Sequence, residues 1–187
     1  MTVLALFLFL APPFWEAAPP ADWSDSQIAW LLAESPWAYR EGGAQIYLAS
    51  ARPLWEAERE RRRRKTRRDQ EIGEEAIEEY FDFLEENRDR YIVLAVRIPL
   101  PQYLLTPKAT KRMEERCVMV ADGRKYKIVG HFPPTAGDRY LRLVFPRVAP
   151  PEDGVLDFRL YVPGVPMPFR WVRFETEKLT YQGHPEF

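Results

Sequence analysis

Residues 91–98 (YIVLAVRI) form an almost uninterrupted apolar run, rich in β-branched side chains and closed by Pro99 and Pro101. Such a run predicts a central strand covered on both faces, and the prolines end it because they bring no N–H to a ladder. Upstream the spacing is helical. Ile28, Leu31 and Leu32 form a stripe with Trp30 beside it, behind a Ser24/Gln27 capping box with Trp23 placed to staple onto Ile28. Ser35-Pro36 ends that helix, because a residue before proline avoids the α region. Residues 44–51 alternate Ile46 and Leu48 against Gln45 and Tyr47 and predict one strand. Pro53 then suits the first turn of a helix reaching to about residue 68. Its apolar residues Leu54, Trp55 and Ala57 all lie near its start, so its far end is expected to stand in water. Ile77, Tyr80, Phe81 and Leu84 repeat at i, i+3, i+4 and i+7, the inner face of a helix laid on a sheet.

Downstream of residue 98 the period changes to two. Residues 116–120 and 125–129 flank Asp122-Gly123, a type I′ hairpin signal. Residues 139–145, 155–162, 169–174 and 179–181 read as further strands, with Leu156, Phe158, Leu160 and Val162 on one face and Asp157, Arg159 and Tyr161 on the other. Residues 102–113 carry only one helical turn in this reading, because Pro107 breaks anything longer. The fold class expected is α+β: N-terminal helices, including a charged helical hairpin, followed by an antiparallel β-sandwich-like or small-barrel domain. Residues 1–21 read as a leader and Pro-rich linker, 22–90 as a helical region with the strand near 44–51, and 91–187 as the β-rich part, with 22–187 forming one compact unit.

Residues 2–11 (TVLALFLFLA) are too short to span a bilayer, which takes roughly 20 residues, and match the apolar segment of a secretory signal. No cation precedes them, and Trp15 and Glu16 stand where a cleavage site prefers small residues. Export to the periplasm or beyond is the reading adopted, with a cytoplasmic protein as the alternative. The four prolines of residues 11–21 predict irregular chain there. Cys117 is the only cysteine, so no intramolecular disulfide or thiolate metal cluster can form. A net charge of -1 provides no global pull toward nucleic acid or anionic lipid.

Trp23-Ser24, Ile28, Leu31-Leu32 and Glu34-Ser35-Pro36-Trp37, behind an apolar leader and ahead of a β-rich half, resemble a family of exported proteins from soil bacteria of the acidobacterial kind. The resemblance rests mainly on the Ser-Pro-Trp segment. It implies export and the helix-then-β order, and no catalytic residues.

Residues 59–68 hold eight cations against one anion, Glu60, and residues 69–86 hold nine carboxylates and no cation. Two helices folded back near Gly73 would set these charges side by side, with Glu58–Arg62 and Glu60–Arg64 adding support at a spacing of four. A solvated hairpin is therefore preferred over a polyanion patch of Arg61, Arg62, Arg63, Arg64, Lys65, Arg67 and Arg68, and nucleic acid is not the expected partner. The carboxylates do not make a di-iron site, which needs Glu with His three residues on, and no His occurs in this half.

Cys117 and His131 are the one pair that could make a thiolate and its base. Across a two-residue loop at Asp122-Gly123, position 117 faces 128 and position 114 faces 131, so the pair falls on opposite faces. Phosphate-binding glycine loops, GxSxG and HExxH are absent. Asp138 with Glu152 or Asp153 could do acid and base work, an enzyme with a dispersed carboxylate site being the second alternative. The sequence calls for no cofactor and no metal. Trp171 and Phe169 on one strand, with Tyr140 and Tyr161, are the candidate binding residues, to be weighed against plain core packing. The functional reading is an exported, non-catalytic module that binds a protein or cell-envelope component.

Overall fold

The computed structural model describes residues 12–41, 44–65, 74–98, 106–135, 137–163, 165 and 167–187. The candidate leader at 2–11, the Gly73 join, Arg67 and Arg68 lie outside the described residues. The fold is α+β, built in three layers: helices, a five-stranded antiparallel sheet, and a four-stranded antiparallel sheet. The five-stranded sheet runs β1 (Ala38–Glu41), β2 (Ala44–Leu48), β3 (Tyr91–Arg97), β7 (Tyr140–Pro146), β6 (Gly130–Phe132). The second runs β5 (Arg124–Lys127), β4 (Val118–Ala121), β8 (Val155–Tyr161), β9 (Phe169–Glu175). β10 (Thr180–Tyr181) and β11 (His184–Pro185) form a small ribbon.

The apolar run is the middle strand, β3, buried from Ile92 to Val96. Its pairing sets Ile92 beside Phe145, Leu94 beside Leu143 and Val96 beside Leu141, and these side chains face the second sheet. There the Phe145 and Phe158 rings meet edge to face at 5.3 Å, joining the two sheets into a sandwich. The opposite face of β3 and β7 carries Ala95, Val93 and Arg142 and is covered by α3 (Arg52–Arg63) and α4 (Glu74–Asn87). This explains the imperfect alternation of Tyr140, Leu143 and Phe145: both faces of β7 are buried. α2 (Asp25–Glu34) completes the helical layer, with the Ser24/Gln27 capping box closed in both directions. β1 and β2 come from the helical half, so both halves share one sheet and one core.

The far half of α3 differs from its expected solvation. Glu58 does not pair with Arg62 on its own helix; it points into the sheet with 1% of its side chain exposed and accepts a hydrogen bond from Arg142 Nη2 at 2.8 Å. Tyr47 donates to the same oxygen, Oε1, at 2.5 Å, and Tyr80 donates to the other, Oε2, at 2.7 Å. Arg142, with 4% of its side chain exposed, also meets Asp138 at 2.6 Å and lies 3.9 Å over the Tyr80 ring. One carboxylate thus ties α3, α4, β2 and β7 together. Burial, reinforced by the Glu58 charge, holds the Tyr47 and Tyr80 phenols protonated.

The Glu60–Arg64 pair forms as expected at 2.7 Å, and Arg63 joins it with two bonds at 2.7 and 2.8 Å. The Arg63 bonds, opposed by burial and backed by Arg64, hold the Glu60 carboxyl at about 2, against an ordinary 4.5. A lowered folded-state value means the stability from this cluster is complete above roughly pH 5 and is lost as pH falls toward about 2. Denaturant unfolding between these pH values should therefore show a decline in stability that Glu60→Gln flattens. A variant that follows the parent curve would show that the cluster adds nothing. Between α3 and α4, Arg62–Glu78 at 4.0 Å is the ion pair found among the described residues; Arg63 and Arg64 instead pair with Glu60 of α3 itself, and Arg64 also with Asp25.

Other elements also differ from the sequence reading. α5 (Pro107–Arg116) is a full helix, because Pro107 sits in its first turn behind a Thr106 cap. β1 and β6 are too short for the alternation to show. Residues 12–21, expected to be irregular, hold the helical turn α1 (Phe14–Ala17) and a 3-10 turn at Pro20–Asp22. Trp15 stacks on Trp30 at 5.4 Å, and the Trp23 indole donates to the Ala18 carbonyl at 2.9 Å, which holds this segment to α2.

Candidate binding face

The alternation of β9 buries Val172 and Phe174 against the sandwich interior and turns Phe169, Trp171 and Arg173 outward. The register with β8 then places Trp171 beside Arg159, Arg173 beside Asp157 and Phe169 beside Tyr161. Across β4 and β5 the same rows continue through Val118 to Lys127 and through Val120 to Lys125. The outer face of the second sheet is therefore a platform of β-branched and aromatic side chains crossed by rows of cations. Trp171 is 76% exposed and Phe169 54%. Large rings in such positions on an open sheet are unusual for a surface facing only water.

Cations frame the rings. Arg159 lies 5.5 Å from the Trp171 ring, Arg116 lies 5.7 Å from the Phe169 ring, and Arg112 lies 4.9 Å from the Tyr161 ring. Arg173 bonds Asp157 through two nitrogens at 2.7 and 2.8 Å, and this pair holds the Asp157 carboxyl below its ordinary range. The one carboxylate in the middle of the face is thereby neutralised, leaving Lys125, Lys127, Arg159, Arg112 and Arg116 to set the sign of the field. Such a surface can stack a flat or apolar group on Trp171 while its cations hold acidic groups on either side.

The other candidate residues fall elsewhere. Tyr161 shares the face but is covered, lying 5.1 Å from Phe169 beneath Arg112 and Arg116. Tyr140 lies on the helix side of the other sheet, 7% exposed, with its ring 5.3 Å from Tyr47 and under Arg61. The structure thus groups Trp171, Phe169 and Tyr161 and separates Tyr140 from them. Arg63 and Arg64 hold Glu60, Arg64 also holds Asp25, and Lys65 donates to the Gly137 carbonyl at 3.1 Å. The sequence reading left out Arg159, Arg112, Arg116, Lys125 and Lys127. The outward alternation of residues 155–162 marks Arg159, whereas the place of α5 beside β8 had no signal in the pattern.

Cys117 and His131 do not meet as a catalytic pair. The Cys117 sulfur accepts from the Tyr161 amide at 3.3 Å, and burial pushes its thiol up to about 11. His131 lies on β6, in the other sheet, with Nδ1 3.5 Å from Glu114 Oε1. His184 is exposed in the terminal ribbon. Asp138 is committed to Arg142, while the Glu152 and Asp153 amides both donate to Asp122 Oδ1. Asp122 and Gly123, at φ values of 48° and 72°, form the I′ turn that the sequence announces. Among the described residues, no group of three His, Cys, Asp or Glu is placed to hold a metal ion. No helix among them is long and apolar enough to cross a membrane. No protein-family model, curated protein or solved structure matches this chain.

Proposed function

We propose that this protein is a non-catalytic binding module, acting outside the cytoplasm, that uses the outer face of its four-stranded sheet to grip an acidic protein partner. The single observation behind this reading is Trp171, 76% exposed on the edge strand of a cationic face, with the Arg159 guanidinium 5.5 Å from its ring. An exposed indole flanked by arginine is the composition that dominates protein interfaces energetically. The excess of cations selects a partner carrying Asp or Glu around an apolar or aromatic anchor. The apolar residues 2–11 and the likeness around Ser35-Pro36-Trp37 support an exported location.

The test uses two peptides of one length, one alternating glutamate with tyrosine and one alternating lysine with tyrosine. Binding is followed by tryptophan fluorescence. The acidic peptide should bind, the basic one should not, and Trp171→Ala should weaken binding about tenfold or more while leaving unfolding free energy within about 0.5 kcal/mol of the parent. Equal binding of both peptides, or an acidic-peptide affinity indifferent to Trp171→Ala, would remove the reading.

A further inference from the structure

On the opposite side of the molecule, a cleft of about 710 Å³ opens between α2, the C-terminal end of α3, the end of β3 and the start of β7. Five cations line it, drawn from three distant parts of the chain: Arg61, Arg64 and Lys65 from the end of α3, Arg97 from β3 and Arg139 from the residue before β7. Two carboxylates line it as well, and both are already held. Asp25 pairs with Arg64 at 2.7 Å, and Asp138 pairs with Arg142 at 2.6 Å. Arg97 and Arg139 form no ion pair with a carboxylate among the described residues, while Arg61 is held by Tyr140, whose ring lies 5.4 Å from its guanidinium carbon, and lies within the field of Glu58.

The geometry points to this cleft as a binding site for a small organic phosphate. Guanidinium groups gathered along one concavity repel one another, two of them without a carboxylate partner among the described residues, and a bound dianion relieves that repulsion. Guanidinium presents paired donors that match phosphate oxygens, and arginine keeps its charge at any pH the fold survives. The remaining wall is aliphatic, with Ala29, Leu32 and Ala33 of α2 on one side. A bare phosphate would leave that wall unused, so the fitting ligand is a phosphate ester with a compact apolar or ring body. The basic run of α3 thus contributes Arg61 to a built concavity, completed by two arginines that the sequence places far from it.

The test compares phenyl phosphate, inorganic phosphate, phenol and a short DNA duplex, read by thermal shift and by isothermal calorimetry at fixed ionic strength. Phenyl phosphate should bind more tightly than inorganic phosphate, and phenol should not bind. The Arg97→Ala/Arg139→Ala double variant should weaken phenyl phosphate binding by about tenfold or more, since each lost charge-assisted bond to a phosphate is of that order. Arg97 and Arg139 are exposed, so the variant should unfold at the parent's temperature without ligand. Trp171→Ala, on the far face, should leave phosphate binding unchanged, which separates this site from the peptide-binding face. Three results would overturn the assignment: no binding at millimolar phenyl phosphate, binding that survives the double variant, or DNA binding through the same arginines in preference to the small ester.

Discussion

Truncating Arg142 to alanine is expected to lower the free energy of unfolding by about 3–5 kcal/mol, a large share of the 5–15 kcal/mol typical of a domain. The substitution leaves two carboxylates, Glu58 and Asp138, inside the protein without their cation. Water cannot reach Glu58 to replace it, because that side chain is 1% exposed. The cost is the uncompensated charge more than the lost bond, so Arg142→Ala alone should be worse than Arg142→Met combined with Glu58→Met and Asp138→Asn. Urea unfolding of the single and triple variants checks this. A single variant within 1 kcal/mol of the parent, on the order of one ordinary hydrogen bond, would mean that the network contributes little to stability.

This network also shows where the sequence stops being legible. Glu58 sits in a run of glutamates and arginines whose composition reads as a solvated face. What sets it apart is position: it follows Leu54 and Ala57 on the side of α3 turned to the sheet, and its partners come from residues 47, 80 and 142. A buried charge is recognisable only once its partner is placed, and a lone sequence does not place partners that lie 84 residues apart. Local devices were legible because each is complete within a few residues, as in the Ser24/Gln27 box, the Asp122-Gly123 turn and the two-period of β8 and β9.

The two candidate sites divide along the same line. The ring set of the outer face is half legible, since Phe169 and Trp171 share an alternation that any strand would impose. Its sign was not, because Arg159 and Lys127 reach Trp171's row only through the pairing of β5, β4, β8 and β9. The cleft was wholly illegible as a site. The basic run drew attention to α3, yet it supplies Arg61, Arg64 and Lys65 to the cleft, which is completed by two singletons, Arg97 and Arg139, each at a strand end. Density of charge in sequence marked a surface; convergence in space marked the concavity.

Replacing Phe158 with alanine is the second large effect expected, again about 3–5 kcal/mol. Phe158 is fully buried on β8, and its ring touches Phe145 of the other sheet at 5.3 Å and Phe174 of its own at 6.0 Å. Removing it empties a ring-sized volume where the two sheets meet, bounded by paired strands that cannot collapse without breaking register. Phe158→Leu retains most of the volume and should cost appreciably less, whereas Phe169→Ala, which removes the same side chain from an exposed position, should stay within about 0.5 kcal/mol. Denaturant unfolding orders the three variants. If Phe158→Ala proved as mild as Phe169→Ala, the two sheets would not be held together by their facing aromatic side chains, and the outer face carrying Trp171 would lose the rigid backing its role requires.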